Sequence, residues 1–272
     1  MNKCCICCPV MDARDHIDKI LCNMEKIGNT FSEYKILLFI DEKDHDTMNV
    51  IMKHMGINKN IYLFCSYSKA SKKELSHRLA DARNYLLDHI RAKYNDYQYF
   101  VMMDSDKTTS RPINMNVWKE TIKKKDWDGL TFNSDIPNIW AFSPRDLVFG
   151  VWHFQQPTTN ELYHSRYNEL VNTKTHKTKL IDVTSAFNGI AIYRSSFLES
   201  KYYPVLQKDF IPPYMKDRTI QSIGPLRDYF WKKKNEKDQD SEHRSFHHYM
   251  VFKYGTSVRI STDHLFVNEK KN

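Results

Sequence analysis

Tyr99-Phe100-Val101-Met102-Met103-Asp104-Ser105-Asp106 is the stretch that decides the fold. Its apolar run predicts a strand over Tyr97–Met103, buried on both faces. The strand stops abruptly at two carboxylates, one residue apart. Hard divalent cations take carboxylate oxygens and keep waters and substrate phosphates as their other ligands. A cation held at such a loop can bridge a diphosphate and neutralise charge on a leaving nucleotide. A bare Asp-X-Asp also arises by chance, and the competing reading is an acidic turn that caps the next helix.

Upstream, strand-like and helix-like segments alternate. Lys3–Val10 predicts a buried strand. Asp12–Ile27 predicts a helix, with Ile17, Ile20, Leu21, Met24 and Ile27 at helical spacing, and Gly28-Asn29 stops it. Tyr34–Ile40 is a second strand ending in Asp41-Glu42, followed by a short helix to about Met55. Ile61–Cys65 is a third strand. Lys72–Tyr94 predicts a long helix with Leu75, Leu79, Ala82, Leu86 and Ile90 on one face. This alternation predicts an α/β fold with a mostly parallel, Rossmann-like sheet covered on both faces. Ligands bind such sheets beyond the carboxyl ends of the strands, where Asp12, Asp41, Glu42, Asp104 and Asp106 all fall. Arg78 and Arg83 flank the apolar face of the long helix. Each is either a phosphate ligand or an ordinary surface arginine.

Downstream the pattern is less regular. Ser110–Lys125 predicts a helix, and Trp127–Phe132 and Ile139–Phe142 predict short strands. Val151–Lys179 reads as a polar, aromatic loop region, and Leu180–Tyr193 as a strand pair around Gly189. Lys208–Tyr214, with Pro212-Pro213, reads as a rigid turn. Glu242–Tyr254 predicts a helix and Ser257–Ser261 a last strand. Trp140, Phe142, Phe149, Trp152, His153, Phe154, Tyr163 and Tyr167 either line a sugar-binding groove or pack a core.

The 272 residues, with 41% hydrophobic and 13% aromatic content, describe a folded chain able to bury a large core. The net charge of +8 favours an acidic partner. The basic run Trp231-Lys232-Lys233-Lys234 is either a patch for an anionic acceptor or lipid head group, or a solvated loop. Four of the six cysteines form Cys4-Cys5-Ile6-Cys7-Cys8. Side chains alternate along a strand, so these four cannot converge on one ion; small buried thiols in a reducing compartment are expected. Neither a secretory signal nor an apolar run of about 18 residues is visible. The expectation is a cytoplasmic protein with at most peripheral membrane contact.

With these motifs in view, the chain resembles GT-A-fold glycosyltransferases that carry a DXD motif, the small viral and microbial kind, over most of its length. The helix with Arg78, Ala82, Arg83 and Asn84 is similar to the one before the family's DXD strand. Asp126–Thr131, Ile139–Phe142, the Gly-containing Thr184–Arg194 and the Ser241–Phe246 helix start resemble later family segments. The resemblance implies one GT-A-like domain, a nucleotide-sugar-binding half (1–106) fused to a mixed-sheet acceptor half (107–272). It implies a UDP- or GDP-sugar donor, Mn2+ or Mg2+, a glycan or glycoconjugate acceptor and a homodimer as one form of assembly. In its terms, Asp104 and Asp106 hold the metal, and Asp104 and Ser105 also lie against the donor. Asp41 or Glu42 lies near the nucleoside, with Arg78 and Arg83 at the diphosphate. Trp140, Asn188 and Gly189 lie beside the acceptor, and Glu242 or His243 acts as base. His243 stands where the family often has Asp, which leaves the base open. His264, His247 and His243 compete as a third metal ligand.

Two rival readings stand beside this one. A nucleotidyltransferase would make the sugar nucleotide, but it usually carries a Gly-rich N-terminal loop, and none follows Val10. A nucleic-acid-binding protein would suit the charge, but it needs a basic stripe interleaved with aromatics. The aromatics here cluster after the acidic site, so no nucleic-acid partner is expected.

Overall fold

A computed structural model describes residues 2–66, 74–150, 157–172, 179–205, 207–223 and 240–267. Trp152, His153, Phe154 and the basic run Trp231–Lys234 lie outside the described residues. The fold is α/β, with seven helices and nine strands among the described residues. It divides into two compact units. The first holds Met1–Lys125, Gly189–Leu198 and His264–Asn272; the second holds Asp126–Asn188 and Glu199–Asp263.

In the first unit β1 (Lys3–Val10), β2 (Glu33–Asp41), β3 (Ile61–Ser66) and β4 (Tyr99–Met103) run parallel in the order β3-β2-β1-β4. β8 (Ile190–Arg194) closes this set antiparallel to β4, pairing Met103 with Ile190. Residues Cys4 to Val10 are all buried, so both faces of β1 are covered, as an uninterrupted apolar strand requires. The four thiols of β1 are unoxidised and fully buried, and burial raises each one's pKa.

The helices follow their apolar spacing in part: the first starts at Ile17 and not at Asp12, and Leu75, expected on the apolar face of the long helix, is exposed at its first turn. α1 (Ile17–Gly28) buries Ile17, Ile20, Leu21, Met24 and Ile27 against β1 and β2. Gly28 is required there because a Cβ would fall 2.5 Å from the Tyr34 ring. α2 (His45–Ile57) starts at Asp44, whose side chain accepts from Thr47 N, and packs on α1 and β3. α3 (Leu75–Lys93) lies on β1 and β2. α4 is confined to Met115–Ile122, shorter than the expected Ser110–Lys125. Asn114 caps it by accepting from Asn116 N and Val117 N, while residues 106–111 are held in a loop by side-chain bonds.

The second unit orders its strands β5-β9-β7-β6: β5 (Gly129–Asn133), β6 (Ser143–Pro144), β7 (Leu180–Ser185) and β9 (Val258–His264). β7 pairs antiparallel with both β6 and β9. Leu180–Tyr193 therefore holds two strands that are not partners: β7 pairs in the second unit and β8 in the first. Ile139–Phe142 is a turn and not the expected strand, closed by Ile139 N to Pro137 O, Ala141 N to Asn138 O and Phe142 N to Ile139 O. The expected loop region contains α5 (Pro157–Asn172), which buries Tyr163 and Tyr167 one turn apart. The Pro212-Pro213 turn opens α6 (Pro213–Ile223), with proline at the first helical position, where no N–H is needed. α7 (Glu242–Tyr254) ends at Gly255 in the left-handed region (φ 68°), which glycine tolerates.

Candidate functional site

The first unit displays its polar chemistry at the carboxyl ends of β1, β2 and β4. The loop after β4 is closed around Thr109. Asp106 Oδ1 accepts from Thr109 N (2.9 Å), and Thr109 Oγ1 lies 2.8 Å from Asp104 O and 3.2 Å from Asp106 N. The competing reading therefore holds in part: one oxygen of Asp106 closes a turn, but it caps no helix, since α4 is capped by Asn114. Asp106 is nevertheless exposed, and its Oδ2 makes no hydrogen bond among the described residues. Ser105 Oγ accepts from Met11 N (3.0 Å) and lies 3.1 Å from Pro9 O, which stitches the end of β4 to the end of β1. Asp104 N donates to Gly189 O (2.8 Å). Gly189 adopts φ 81°, and a Cβ there would meet Thr109 Cγ2 at 3.0 Å, so any side chain would disturb the acidic loop.

Arg83 is no surface arginine. It is 1% exposed, and its Nη2 lies 2.6 Å from Asp104 Oδ1. A bond this short, from a guanidinium shielded from water, fixes the carboxylate's direction. Arg78 lies 3.7 Å from Asp41 Oδ2. Val10, Met11, Asp12, Asp41, Lys43, Asp44 and Arg78 line a cavity of 280 Å³ within this unit. Asp41 Oδ1 accepts from Lys43 N, and Asp44 Oδ2 is buried with no hydrogen-bond partner among the described residues. Glu42 is half-buried beside Asp41 and does not line the cavity.

The sequence reading passed over Asn23. It is buried on α1 and donates to Thr109 O (2.9 Å) and Arg111 O (2.7 Å), holding the acidic loop from below. Its signal was a lone amide inside an apolar helical stripe.

In the second unit the groups proposed for chemistry are mostly buried. Glu242 is 6% exposed. His243 stacks on Phe187 with ring centroids 3.6 Å apart and meets Tyr202 edge-on, so it is packed as an aromatic ring. His247 Nδ1 lies 2.8 Å from Ser185 Oγ, and burial, helped by Arg244, pushes its pKa down to about 3. His264 is exposed at the end of β9. Among the described residues no three His, Cys, Asp or Glu side chains gather into a metal-holding group. The two carboxylates after β4 suit a hard cation in another way, as two oxygen donors that leave the other positions to phosphate and water.

Asn188 is buried and engaged. Its amide donates to Phe132 O (2.8 Å) and Tyr167 Oη (2.7 Å) and accepts from Asn138 N (3.0 Å). Phe142, Phe149, Tyr163 and Tyr167 are core residues, so the groove reading fails for these four. Trp140 alone of the described aromatics in that stretch stays exposed, at 38%.

Arg244 and Asp240 form a buried pair that the sequence hid in a run of mixed charge. Both side chains are 0% exposed, and Arg244 Nε lies 2.9 Å from Asp240 Oδ1. The guanidinium also donates to Phe142 O (2.9 Å), Ser143 Oγ and Val148 O. Gly150 admits it, since a Cβ there would fall 2.8 Å from Arg244 Cζ. Burial pushes the Asp240 carboxyl up to about 6 despite the arginine.

Neither a family model nor a curated protein matches the sequence. Among solved structures, the chain is similar to S. aureus TarS 1-349, at 13% identity and a TM-score of 0.48, over 98% of this chain and 59% of that one. The same protein in complex with UDP-GlcNAc matches at 13% and 0.48, over 100% and 60%. The mannosyltransferase PcManGT from Pyrobaculum calidifontis, in complex with GDP-Man and Mn2+, matches at 10% and 0.42, over 74% and 47%. The chain spans less than two thirds of each of these structures. At such identity and overlap nothing about its chemistry follows from the likeness. Among the described residues no helix is long and apolar enough to cross a membrane.

Proposed function

We propose that the chain is a glycosyltransferase that takes a UDP- or GDP-sugar donor with Mn2+ or Mg2+ and moves the sugar to a hydroxyl of a glycan or glycoconjugate. One observation carries this reading: the exposed Asp106 beside an Asp104 fixed by the buried Arg83, at the carboxyl end of a central parallel strand. A carboxylate pair merely capping a turn needs no shielded guanidinium behind it. In this reading Asp106 ligates the cation through its unengaged oxygen, and Asp104 completes the pair. The cation would neutralise charge on the departing diphosphate.

The cavity at the ends of β1 and β2 is of a size for a nucleoside, with Asp41 and Asp44 as acceptors and Arg78 toward the phosphates. Ser105 and Gly189 hold the loop itself and keep both carboxylates in register. On the acceptor side, Glu242 is the better base, because His243 is stacked between aromatic rings. Trp140 is the exposed ring left to meet an acceptor sugar. His264 is the remaining histidine for a third ligand, since His247 is buried against Ser185.

The test is a thermal-shift screen of UDP- and GDP-sugars with and without Mn2+, in the wild-type chain and in Asp106→Ala. One donor should raise the melting temperature only with metal present and only in wild type. Turnover should release nucleoside diphosphate; release of pyrophosphate would make the chain a nucleotidyltransferase instead. Full turnover in Asp106→Ala, or with a chelator present, would sink the proposal.

A further inference from the structure

The aromatic residues of the second unit form two populations. Phe142, Phe149, Tyr163 and Tyr167 are core. Tyr203, Phe210, Tyr249 and Tyr254 are not buried and follow one another without a break. Their ring centroids are 5.8 Å apart from Tyr203 to Phe210, 4.9 Å from Phe210 to Tyr249 and 5.6 Å from Tyr249 to Tyr254. Neighbouring planes are tilted by 70°, 60° and 67°, so the rings form a row of separate surfaces and not one stacked column. Tyr254 is 49% exposed. The row is anchored at its start, because Tyr202, next to Tyr203, is buried in a parallel stack on Phe246 at 4.2 Å.

Its charge is close to balanced. Lys253 is the cation beside the rings, and it is engaged: its Nζ lies 2.8 Å from Tyr249 Oη and 5.4 Å from the Tyr254 centroid. Glu199 is exposed and acts electrostatically on both Tyr249 and Tyr254. A single-stranded nucleic acid needs a positively charged groove that tracks its phosphates. Among the described side chains this row offers an engaged lysine, Lys253, with the exposed carboxylates Glu199 and Asp209, and not an unbroken basic groove. What it does offer is a line of ring surfaces edged by tyrosine hydroxyls. Tyrosine supplies large, rigid contact area with a polar tip at low conformational cost. A pyranose chain has the matching form, with apolar C–H faces and a rim of hydroxyls.

We propose that the Tyr203–Phe210–Tyr249–Tyr254 row is a platform that binds an uncharged oligosaccharide chain several units long. The platform lies wholly within the second unit and goes beyond the donor reading. Should that reading hold, the platform's natural occupant is the acceptor chain.

The experiment titrates cellohexaose, maltohexaose, chitohexaose and their monosaccharides into the protein by calorimetry, without any donor, so that a failed donor screen and a failed glycan screen are read separately. An RNA oligonucleotide is titrated in parallel at about 0.15 M salt. At least one hexasaccharide should bind saturably, about tenfold or more tighter than its monosaccharide. Tyr254→Ala and Tyr249→Ala should each weaken it about tenfold, and Tyr249→Phe, which keeps the ring, much less. Melting curves identify any variant that fails to fold, and Tyr254→Ala, at an exposed position, keeps the test open if Tyr249→Ala does. Three results would each overturn the platform: no hexasaccharide binding to the wild type, undiminished binding in a folded Tyr254→Ala, or RNA binding that is tighter than that of every sugar and is lost in Tyr254→Ala.

Discussion

The two units place their key charged groups differently. In the first, carboxylates stand at strand ends: Asp106 is exposed, Asp41 lines a cavity, and among the described residues the buried charge is the arginine that directs Asp104. In the second, Asp240, Arg244 and His247 are all withdrawn from water and held by buried partners. Exposed carboxylates at the end of a rigid sheet are available to a ligand. Buried ones are committed to the fold, and removing a partner there costs stability before it costs chemistry. A charge run in sequence can therefore hold either kind of residue, and the packing around it decides which.

The largest effect that can break this contrast is at Arg244. Arg244→Met leaves Asp240 buried without its guanidinium and should cost about 3–5 kcal/mol. A urea midpoint equal to wild type would show that the pair is not structural. Asp106→Ala should do the reverse. Turnover falls by about 10²–10³ on loss of the charge-stabilising ligand. Stability falls by only about 1 kcal/mol on loss of the turn bond to Thr109 N. Coupled kinetic and melting measurements on that one variant separate the two losses.

A smaller effect is expected in the pH dependence of the second unit. Asp240 has a folded pKa of about 6, above its ordinary value. The folded state therefore holds more protons across that interval, and stability falls as pH rises from about 4 to 6. His247, depressed to about 3, contributes stability that is present above its ordinary pKa and is lost as pH falls through that range. Between about pH 4 and 6 the two slopes oppose one another, so the wild type should be nearly flat. His247→Asn removes one of them. Its stability should then fall by about 2 kcal/mol as pH is raised from 4 to 6. A flat curve for the variant would show that Asp240 does not titrate in that window. Smallest of all, Trp140→Ala should cost about 1–2 kcal/mol, since the ring is only partly covered. A drop of several kcal/mol would place the ring in the core.

The same contrast explains what could be read in the sequence. The first unit is built from contiguous pieces: β1 through β4 are single apolar runs, α1 shows an apolar stripe broken only at Asn23, and β1, β2 and β4 each end at or just before an acid. Lys3–Val10 was legible to the residue for that reason. The second unit is built from distant pieces. β7 pairs with strands from both ends of the unit, and a two-residue strand such as Ser143–Pro144 has no period to detect. Ile139–Phe142 is apolar because it is buried, but its backbone bonds close a turn. α5 lacks a clear apolar face, and its signal lay in Tyr163 and Tyr167, four residues apart. The acidic pair of the site stood out as a motif. Its supports did not: Asn23 looks like a blemish on α1, and Gly189 was expected beside the acceptor while its carbonyl and its missing side chain serve the acidic loop.

Six thiols divide this protein into two chemical populations. Cys22 and Cys65 face solvent, with ionisation held back only by partial burial and nearby carboxylates, while Cys4, Cys5, Cys7 and Cys8 lie sealed in the innermost strand with ionisation suppressed further by full burial. Alkylating reagents need a reachable thiolate, so the first pair should label at once and the four only when the sheet opens. Nature has left a set of stopwatches in the central strand, and mass spectrometry can count how many have been started.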